Sequence, residues 1–147
     1  MSKEILHRAK RMDTGEWVEG YYVKLKLTGT AYILPGDAEV EPCKKGILQF
    51  VCYQVDPETV WRYTGMEDVK KRKIFEGDIV NCKEKRGAAF WHCRVVWNDV
   101  WARFDVIAMG CSFPMCLDEC DGDISINGSD YEVIGNIYDN SELLRGA

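Results

Sequence analysis

The chain has 147 residues, a formal net charge of −5, and hydrophobic and charged fractions of 46% and 29%, values typical of a folded globular protein. Its length is sufficient for one domain, or for one compact domain with a smaller lobe. The acidic balance argues against nucleic-acid binding driven by overall charge, and the first residues lack the apolar stretch of a signal peptide. Because no apolar run is long enough to span a bilayer, we expect a soluble, cytoplasmic protein without a membrane partner.

The first half of the chain has the pattern of short strands separated by turns. Apolar and β-branched side chains recur between glycine-containing turns, and residues 35–46 hold acids, prolines and lysines that favour an exposed loop. Asp56 followed by Pro57 indicates one helical turn. The predicted strands of this half span residues 3–12, 16–26, 31–34 and 47–55.

The stretch from Tyr63 to Val80 organises the second half. It contains a strand end, a basic loop and a turn into a new strand, where Gly77 is expected to adopt a positive φ. Asp78 is expected to accept hydrogen bonds from nearby amides. The predicted elements that follow are strands over residues 79–83, 90–97, 100–108 and 131–138, a long loop over 109–130, and a helical turn over 139–144.

Residues 90–97 and 100–108 are predicted to form a hairpin closed by the two-residue loop Asn98-Asp99. Counting outward from this loop gives a register in which one face is entirely apolar or cysteine. A shift by one residue would mix the two faces. The side chains predicted to line the core are Trp91, Cys93, Val95, Trp97, Val100, Ala102, Phe104 and Val106.

The opposite face of this hairpin supplies the candidate binding residues. The predicted register places Arg94 opposite Arg103 and His92 opposite Asp105. Two adjacent guanidinium groups suit a phosphate or carboxylate, and the neighbouring aromatic rings could add stacking. In the simpler alternative, a nearby acid or solvent neutralises the pair. The candidate binding residues are Phe90, His92, Arg94, Trp101 and Arg103.

No catalytic residue, cofactor or metal is predicted. The seven cysteines include no Cys-x-x-Cys pair, although Cys111, Cys116 and Cys120 cluster in a loop where a metal would need a fourth ligand. Residues 121–132 have the spacing of a calcium-binding loop, but isoleucine replaces the required glycine, which favours an acidic turn. His92 and Cys93 are sequence neighbours in a strand and therefore point to opposite faces.

Several stretches resemble the signatures of YopX-type proteins: Lys10–Gly20, Tyr63-Thr64-Gly65, Ile74–Val80 and Tyr131–Leu144. Residues 68–73 depart from the Asn-Gly turn that such proteins often carry, and the insert over 109–130 is particular to this chain. The resemblance implies a phage or prophage origin and a mainly β protein whose C-terminal part is an SH3-like barrel. It implies no catalytic residue.

The expected architecture is therefore mainly β with short helical turns: an antiparallel β lobe over residues 1–62 and an SH3-like small barrel over residues 63–147. The favoured function is a non-enzymatic binding module that uses the mixed hairpin face or the aromatic N-terminal lobe. A protein partner, single-stranded nucleic acid and a homo-oligomer all remain open. The alternative is a small hydrolase or nucleic-acid-processing accessory enzyme that uses loop cysteines or acids.

Overall fold

The computed structural model describes residues 5–36, 41–44, 47–49, 51–83, 90–108, 115–116, 120–121, 124–125 and 131–144. Its regular structure consists of antiparallel strands and short 3-10 turns. The chain divides into two compact units, Met1–Tyr63 and Thr64–Ala147. The strands in chain order are β1 His7–Lys10, β2 Trp17–Lys24, β3 Ala31–Pro35, β4 Glu41–Lys44, β5 Ile47–Gln49, β6 Tyr53–Val55, β7 Trp61–Glu67, β8 Lys73–Phe75, β9 Asp78–Lys83, β10 Phe90–Asn98, β11 Arg103–Ala108, β12 Met115–Cys116, β13 Cys120–Asp121, β14 Ile124–Ser125 and β15 Tyr131–Asn136.

The first sheet has the strand order β6-β3-β2-β1-β7-β8. Alternate residues of each strand point to the same side of the sheet, and many of those on one side are apolar. Ala9 lies opposite Val18 and Tyr22 opposite Ile33, so their side chains share this face. The buried residues of the N-terminal core are Ala9, Ala31, Ile33 and Val55.

The sheet is held together at one end by the residues that follow β1. Arg11 forms an isolated antiparallel bridge with Val55, and the amide of Met12 donates to the carbonyl of Gln54 at 2.9 Å. The 3-10 turn Pro57–Thr59 lies beside this bridge, and Asp56 caps it by accepting a hydrogen bond from the amide of Glu58 at 3.0 Å. The predicted helical turn after Asp56 is therefore confirmed.

The segment between β3 and β6 differs from its prediction. The expected loop over residues 35–46 contains β4, and the expected strand over 47–55 is divided into β5 and β6. Glu41 pairs with Gln49 and Pro42 with Leu48, so β4 and β5 form a separate hairpin. Proline and lysine favoured a loop in the sequence, but an isolated two-stranded hairpin tolerates both residues because it is an edge on each side.

The second sheet has the strand order β12-β11-β10-β9-β15, with antiparallel pairing throughout. Within the described residues this order is open at both ends, so the barrel closure implied by the resemblance is not observed there. The segment predicted as the loop 109–130 contributes β12 to this sheet and the separate pair β13 and β14. The buried residues of its core are Ile74, Val80, Cys93, Val95, Val106 and Tyr131.

The hairpin of β10 and β11 keeps the predicted faces but not the predicted register. Val95 lies opposite Val106 and Trp97 opposite Phe104, so the connection holds the four residues 99–102 instead of two. The predicted partners were Ala102 and Val100, and both of these residues are exposed in the connection. The faces survive because the register differs by an even number of residues, and strand side chains alternate with a period of two.

No described helix is long or apolar enough to cross a membrane. The described helical structure is limited to the turn Pro57–Thr59 and the C-terminal 3-10 turn Ser141–Leu144, which falls within the helical turn predicted over residues 139–144.

Candidate functional site

The most distinctive surface of the first sheet is an aromatic face on the side opposite its core. Trp17 lies opposite Lys10, and Tyr32 opposite Val23, in a register that places all of these side chains away from Ala9 and Ile33. Tyr21 is on the same face because it is four residues from Trp17 along β2. We define the aromatic face by the side chains of Arg8, Lys10, Trp17, Tyr21 and Tyr32.

Two cations lie on the indoles of this face. The rings of Trp17 and Trp61 stack with their centroids 5.6 Å apart and their planes at 28°. The Arg8 guanidinium is 4.8 Å from the Trp17 ring centroid and 5.3 Å from that of Trp61, and Lys10 Nζ is 5.2 Å from the Trp17 centroid. These distances are within the range of cation–π attraction, so the cations are held against the rings.

Exposure increases along the face away from this stack. Trp61 is buried beneath Trp17 in this stack, whereas Trp17 and Tyr32 are half-buried. Tyr21 is 43% exposed and Val23 is 46% exposed. Arg8 and Lys10 are half-buried against the rings, and the exposed acid Glu19 lies on the same face directly opposite Arg8. The face therefore combines partly exposed rings with two cations, which suits a planar ligand carrying negative charge.

The sequence indicated an aromatic N-terminal lobe but did not select these residues. Trp17, Tyr21 and Val23 alternate with core residues at a period of two, and this signal was available in the sequence. Arg8 and Trp61 are opposite one another across β1 and β7 although they are far apart in the chain. No local pattern predicts that pairing.

The five candidate residues of the second sheet do not form one site. Arg94 lies opposite Ile107, and Arg103 lies opposite Asn98, so the predicted Arg94–Arg103 pair is wrong. His92 lies opposite Asn81 of β9, not opposite Asp105, and its Nδ1 is 3.2 Å from the carbonyl oxygen of Leu143. The physical cause is the four-residue connection, which moves each partner along β11.

Two of the five candidates meet at the end of the hairpin. The Arg103 guanidinium lies 5.8 Å from the ring centroid of Trp101, which is 68% exposed. Arg103 Nε also donates to the buried carboxylate of Asp105 at 2.8 Å. Arg94 is exposed at a different level of β10, and the side chain of Phe90 lies outside the described residues.

Hydrogen bonds around the buried carboxylate of Asp105 fix this hairpin end. Asn98 Nδ2 donates to Asp105 Oδ2 at 2.7 Å, while Asn98 Oδ1 accepts from the amides of Val100 and Trp101 at 3.0 and 3.2 Å. Ala102 completes the connection with a positive φ of 50°. The polar side chains here therefore stabilise a turn, which explains their occurrence without a ligand.

The loop between β7 and β8 is organised by the buried carboxylate of Asp68. It accepts hydrogen bonds from the amides of Lys70 and Arg72 at 2.9 Å each and from the amide of Val133 at 3.0 Å. Arg72 Nε also donates to it at 3.1 Å. Burial acts to raise the pKa of Asp68, but the three amides and the Arg72 charge outweigh burial, so the pKa lies below its usual value.

In the motifs that carry the family resemblance, Gly77, Asp78 and Asn136 form hydrogen bonds with backbone groups. Gly77 has the predicted positive φ, at 83°. Its amide donates to the carbonyl of Val95 at 2.8 Å, and its own carbonyl accepts from the amide of Ile137 at 3.0 Å. Asp78 accepts from the amide of Phe75 at 2.8 Å, and Asn136 Oδ1 accepts from the amides of residues 138 and 139. These motifs therefore stabilise the fold and identify no reaction.

The described residues contain no group of three His, Cys, Asp or Glu side chains able to hold a metal ion. Cys93 is a buried thiol and Cys52 a half-buried thiol, neither in a disulfide. Cys93 belongs to the core cluster, whereas His92 is on the other face, as predicted. Within residues 121–132, Asp121 pairs with Ile124 as part of a hairpin. Cys111 and the side chains of Cys116 and Cys120 lie outside the described part of the chain.

Comparison with known proteins identifies a family but no activity. The chain matches no curated protein. It resembles the crystal structure of protein EF1440 from Enterococcus faecalis, with 22% sequence identity, a TM-score of 0.60, and coverage of 97% of this chain and 99% of that one. This likeness supports the fold alone. The family model described as YopX protein matches residues 6–145, nearly the whole sequence. The chain belongs to the YopX protein family.

Proposed function

We propose that this protein is a non-enzymatic binding module that holds single-stranded nucleic acid on its aromatic face. The observation that carries the proposal is the combination of Trp17, Tyr21 and Tyr32 with the cations Arg8 and Lys10 on one side of one sheet. Unpaired bases stack on aromatic rings, and neighbouring cations attract the phosphates that connect the bases.

The charge of the chain decides how such binding would work. A net charge of −5 gives no long-range attraction for a polyanion, so the affinity has to come from stacking and from a few local cations. Stacking requires bases that are not paired, which favours a single strand over a duplex. We therefore expect a larger loss of affinity from removing a ring than from raising the salt concentration.

The proposal is tested by fluorescence anisotropy with a labelled oligothymidylate of about 20 nucleotides at low salt. Replacing Trp17 by Ala or Tyr21 by Ala is expected to weaken binding by about 1 to 3 kcal/mol each, or at least roughly fivefold. Tyr138→Ala is the matched control because Tyr138, in the other unit, is 45% exposed, against 43% for Tyr21.

The outcomes separate the two surfaces considered from the sequence. Loss of affinity in the Trp17 and Tyr21 variants but not in Trp101→Ala supports the aromatic face. Loss only in the Trp101 variant would transfer the site to the hairpin of the second sheet. Equal affinity of all variants and the unaltered protein would contradict stacking altogether.

A second candidate is a protein partner, including another copy of this chain. It is favoured by the exposed apolar side chains of Tyr21 and Val23, which lie next to one another along one face. Sedimentation equilibrium of the protein and of a Val23→Glu variant distinguishes this alternative. Self-association that the charge abolishes would support it.

The enzyme alternative depends on loop cysteines and acids outside the described residues, and no contact on the described surface favours it. The phage or prophage origin is likewise part of this proposal. Binding of unpaired strands by stacking would suit a protein that acts during replication or recombination of phage DNA.

A further inference from the structure

The second unit carries a cluster of positively charged residues that is not part of the aromatic face. Lys70, Lys71 and Arg72 follow one another between β7 and β8, Lys73 begins β8, and all four are exposed. We refer to these four residues as the basic loop. Four consecutive cations in a chain of net charge −5 form a local reversal of its overall charge.

The backbone of the basic loop is fixed before any ligand binds. Asp68 accepts from the amides of Lys70 and Arg72, its own amide donates to the carbonyl of Arg72 at 2.8 Å, and its carbonyl accepts from the amide of Lys71 at 3.0 Å. The amide of the neighbouring Val69 donates to the carbonyl of Tyr131 at 2.9 Å. A loop fixed in this way loses little conformational entropy on binding.

The cations differ in how far acids compensate them. Lys70 Nζ is 2.8 Å from Glu132 Oε1, while Arg72 contacts Asp68 at 3.1 Å and Glu132 at 3.7 Å. In the described part of the chain, Lys71 forms no such pair. It therefore presents a full positive charge to solvent.

Lys71 also occupies an unfavourable backbone position. Its φ is +64°, a conformation that glycine adopts without strain and that lysine does not. Its side chain forms no hydrogen bond or ion pair with the described residues. Lysine at this position is less stable than glycine would be, because its Cβ is strained at this φ. What lysine adds in place of glycine is its positive charge.

We propose that the basic loop binds the phosphodiester backbone of nucleic acid, and this inference rests on the proposed function. Lysines act as point charges towards phosphate, and successive exposed cations match a chain of phosphates better than one isolated anion. An isolated phosphate would require converging amides, but those of Lys70 and Arg72 already bind Asp68. Phosphate contacts through Lys71 and Lys73 would make the affinity of this protein for nucleic acid depend on the salt concentration.

The test uses the full chain, the labelled oligothymidylate and inorganic polyphosphate, which carries charge but no bases. Lys71→Gly and the double variant Lys71→Gly/Lys73→Ala are compared with Lys24→Ala, which removes one exposed cation from the first sheet. For the oligothymidylate, removing one lysine–phosphate interaction is expected to reduce the slope of log affinity against log salt by about 0.7, giving about 1.4 for the double variant. Glycine relieves the strained φ at residue 71, so Lys71→Gly is expected to melt no lower than the unaltered protein.

The two probes distinguish failure of this inference from failure of the proposed function. Polyphosphate binding that the double variant loses, and that Trp17→Ala retains, supports the basic loop. Stacking-dependent oligothymidylate binding with an unchanged salt slope in the double variant would overturn the basic loop and leave the proposed function intact. Polyphosphate binding that depends on Lys71 and Lys73, with oligothymidylate affinity indifferent to Trp17, would overturn the aromatic face alone. Absence of polyphosphate binding at low salt would overturn the basic loop by itself.

Discussion

The carboxylate of Asp68 accepts a hydrogen bond from the amide of Val133 at 3.0 Å, across 65 positions of sequence. Val133 lies in β15, the edge strand of the second sheet. Its carbonyl accepts from Arg72 Nη2 at 2.7 Å, and the carbonyl of Tyr131 accepts from the amide of Val69. The loop between β7 and β8 thus satisfies three outward backbone groups of this edge. An edge occupied in this way is not available to pair with another chain.

The first prediction concerns the pH dependence of stability. The pKa of Asp68 is lowered from its usual 3.8 in the folded protein, so its contribution is present above pH 3.8 and is lost as the pH falls through the lower folded value. Asp68→Asn is expected to cost roughly 2 to 3 kcal/mol at neutral pH, because Asn keeps only one acceptor oxygen and turns an NH2 donor towards the donors that the other carboxylate oxygen accepted from.

Urea denaturation of both proteins between neutral pH and about pH 2.5 is the measurement. The difference in free energy of unfolding between the unaltered protein and Asp68→Asn should narrow only below pH 3.8. Glu67→Gln, an exposed acid one residue earlier, is the control and should follow the unaltered protein. A constant difference across the whole range would contradict the role assigned to Asp68.

The second prediction concerns Gly77. Its φ of 83° is strained for a β-branched residue, and its amide and carbonyl are both engaged, so the backbone cannot easily relax. Gly77→Val is expected to lower the free energy of unfolding by roughly 1 to 3 kcal/mol. Gly36→Val is the control, because a Cβ at Gly36 meets nothing within 4 Å and its φ is not positive. Equal stability of the two variants would show that the conformation of Gly77 is not required.

The third prediction tests the observed hairpin register. Val106 is fully buried, whereas Val100 is 84% exposed although the two-residue loop placed it in the core. Val106→Ala is expected to destabilise by about 2 kcal/mol through lost burial and a residual cavity. Val100→Ala should change stability by less than about 0.5 kcal/mol. Thermal denaturation of the two variants, which remove the same atoms, decides between the registers, and similar losses would favour the two-residue loop.

The fourth prediction concerns the two arginines that the predicted register placed opposite one another. Arg103 donates to the buried carboxylate of Asp105, and Arg94 is exposed. Arg103→Ala removes the charged donor from that carboxylate while Asn98 still donates to it at 2.7 Å, and the change is expected to cost roughly 2 kcal/mol. Arg94→Ala should be near neutral in the same denaturation experiment. Stabilisation by Arg94→Ala would indicate that the two cations do repel one another across the strands.

Local features of the sequence determined the strand class, the turn at Asp56 and the positive φ of Gly77, because each depends on neighbouring residues alone. Alternation also determined which face of β10 and β11 is buried. It did not determine their register, since a connection of two or four residues preserves the same faces. The sequence indicates Asn98 as the first residue of a two-residue loop, whereas its side chain caps a longer one by bonding to Val100 and Trp101.

The tertiary structure alone decided which distant residues meet. Arg8 is stacked on Trp61 because β1 pairs with β7, and Asp68 binds Val133 because β15 returns beside the loop after β7. Such contacts depend on the order of strands within a sheet, and no local periodicity encodes that order. The sequence therefore determined where strands and turns form, while the pairing of strands decided which rings and charges share a surface.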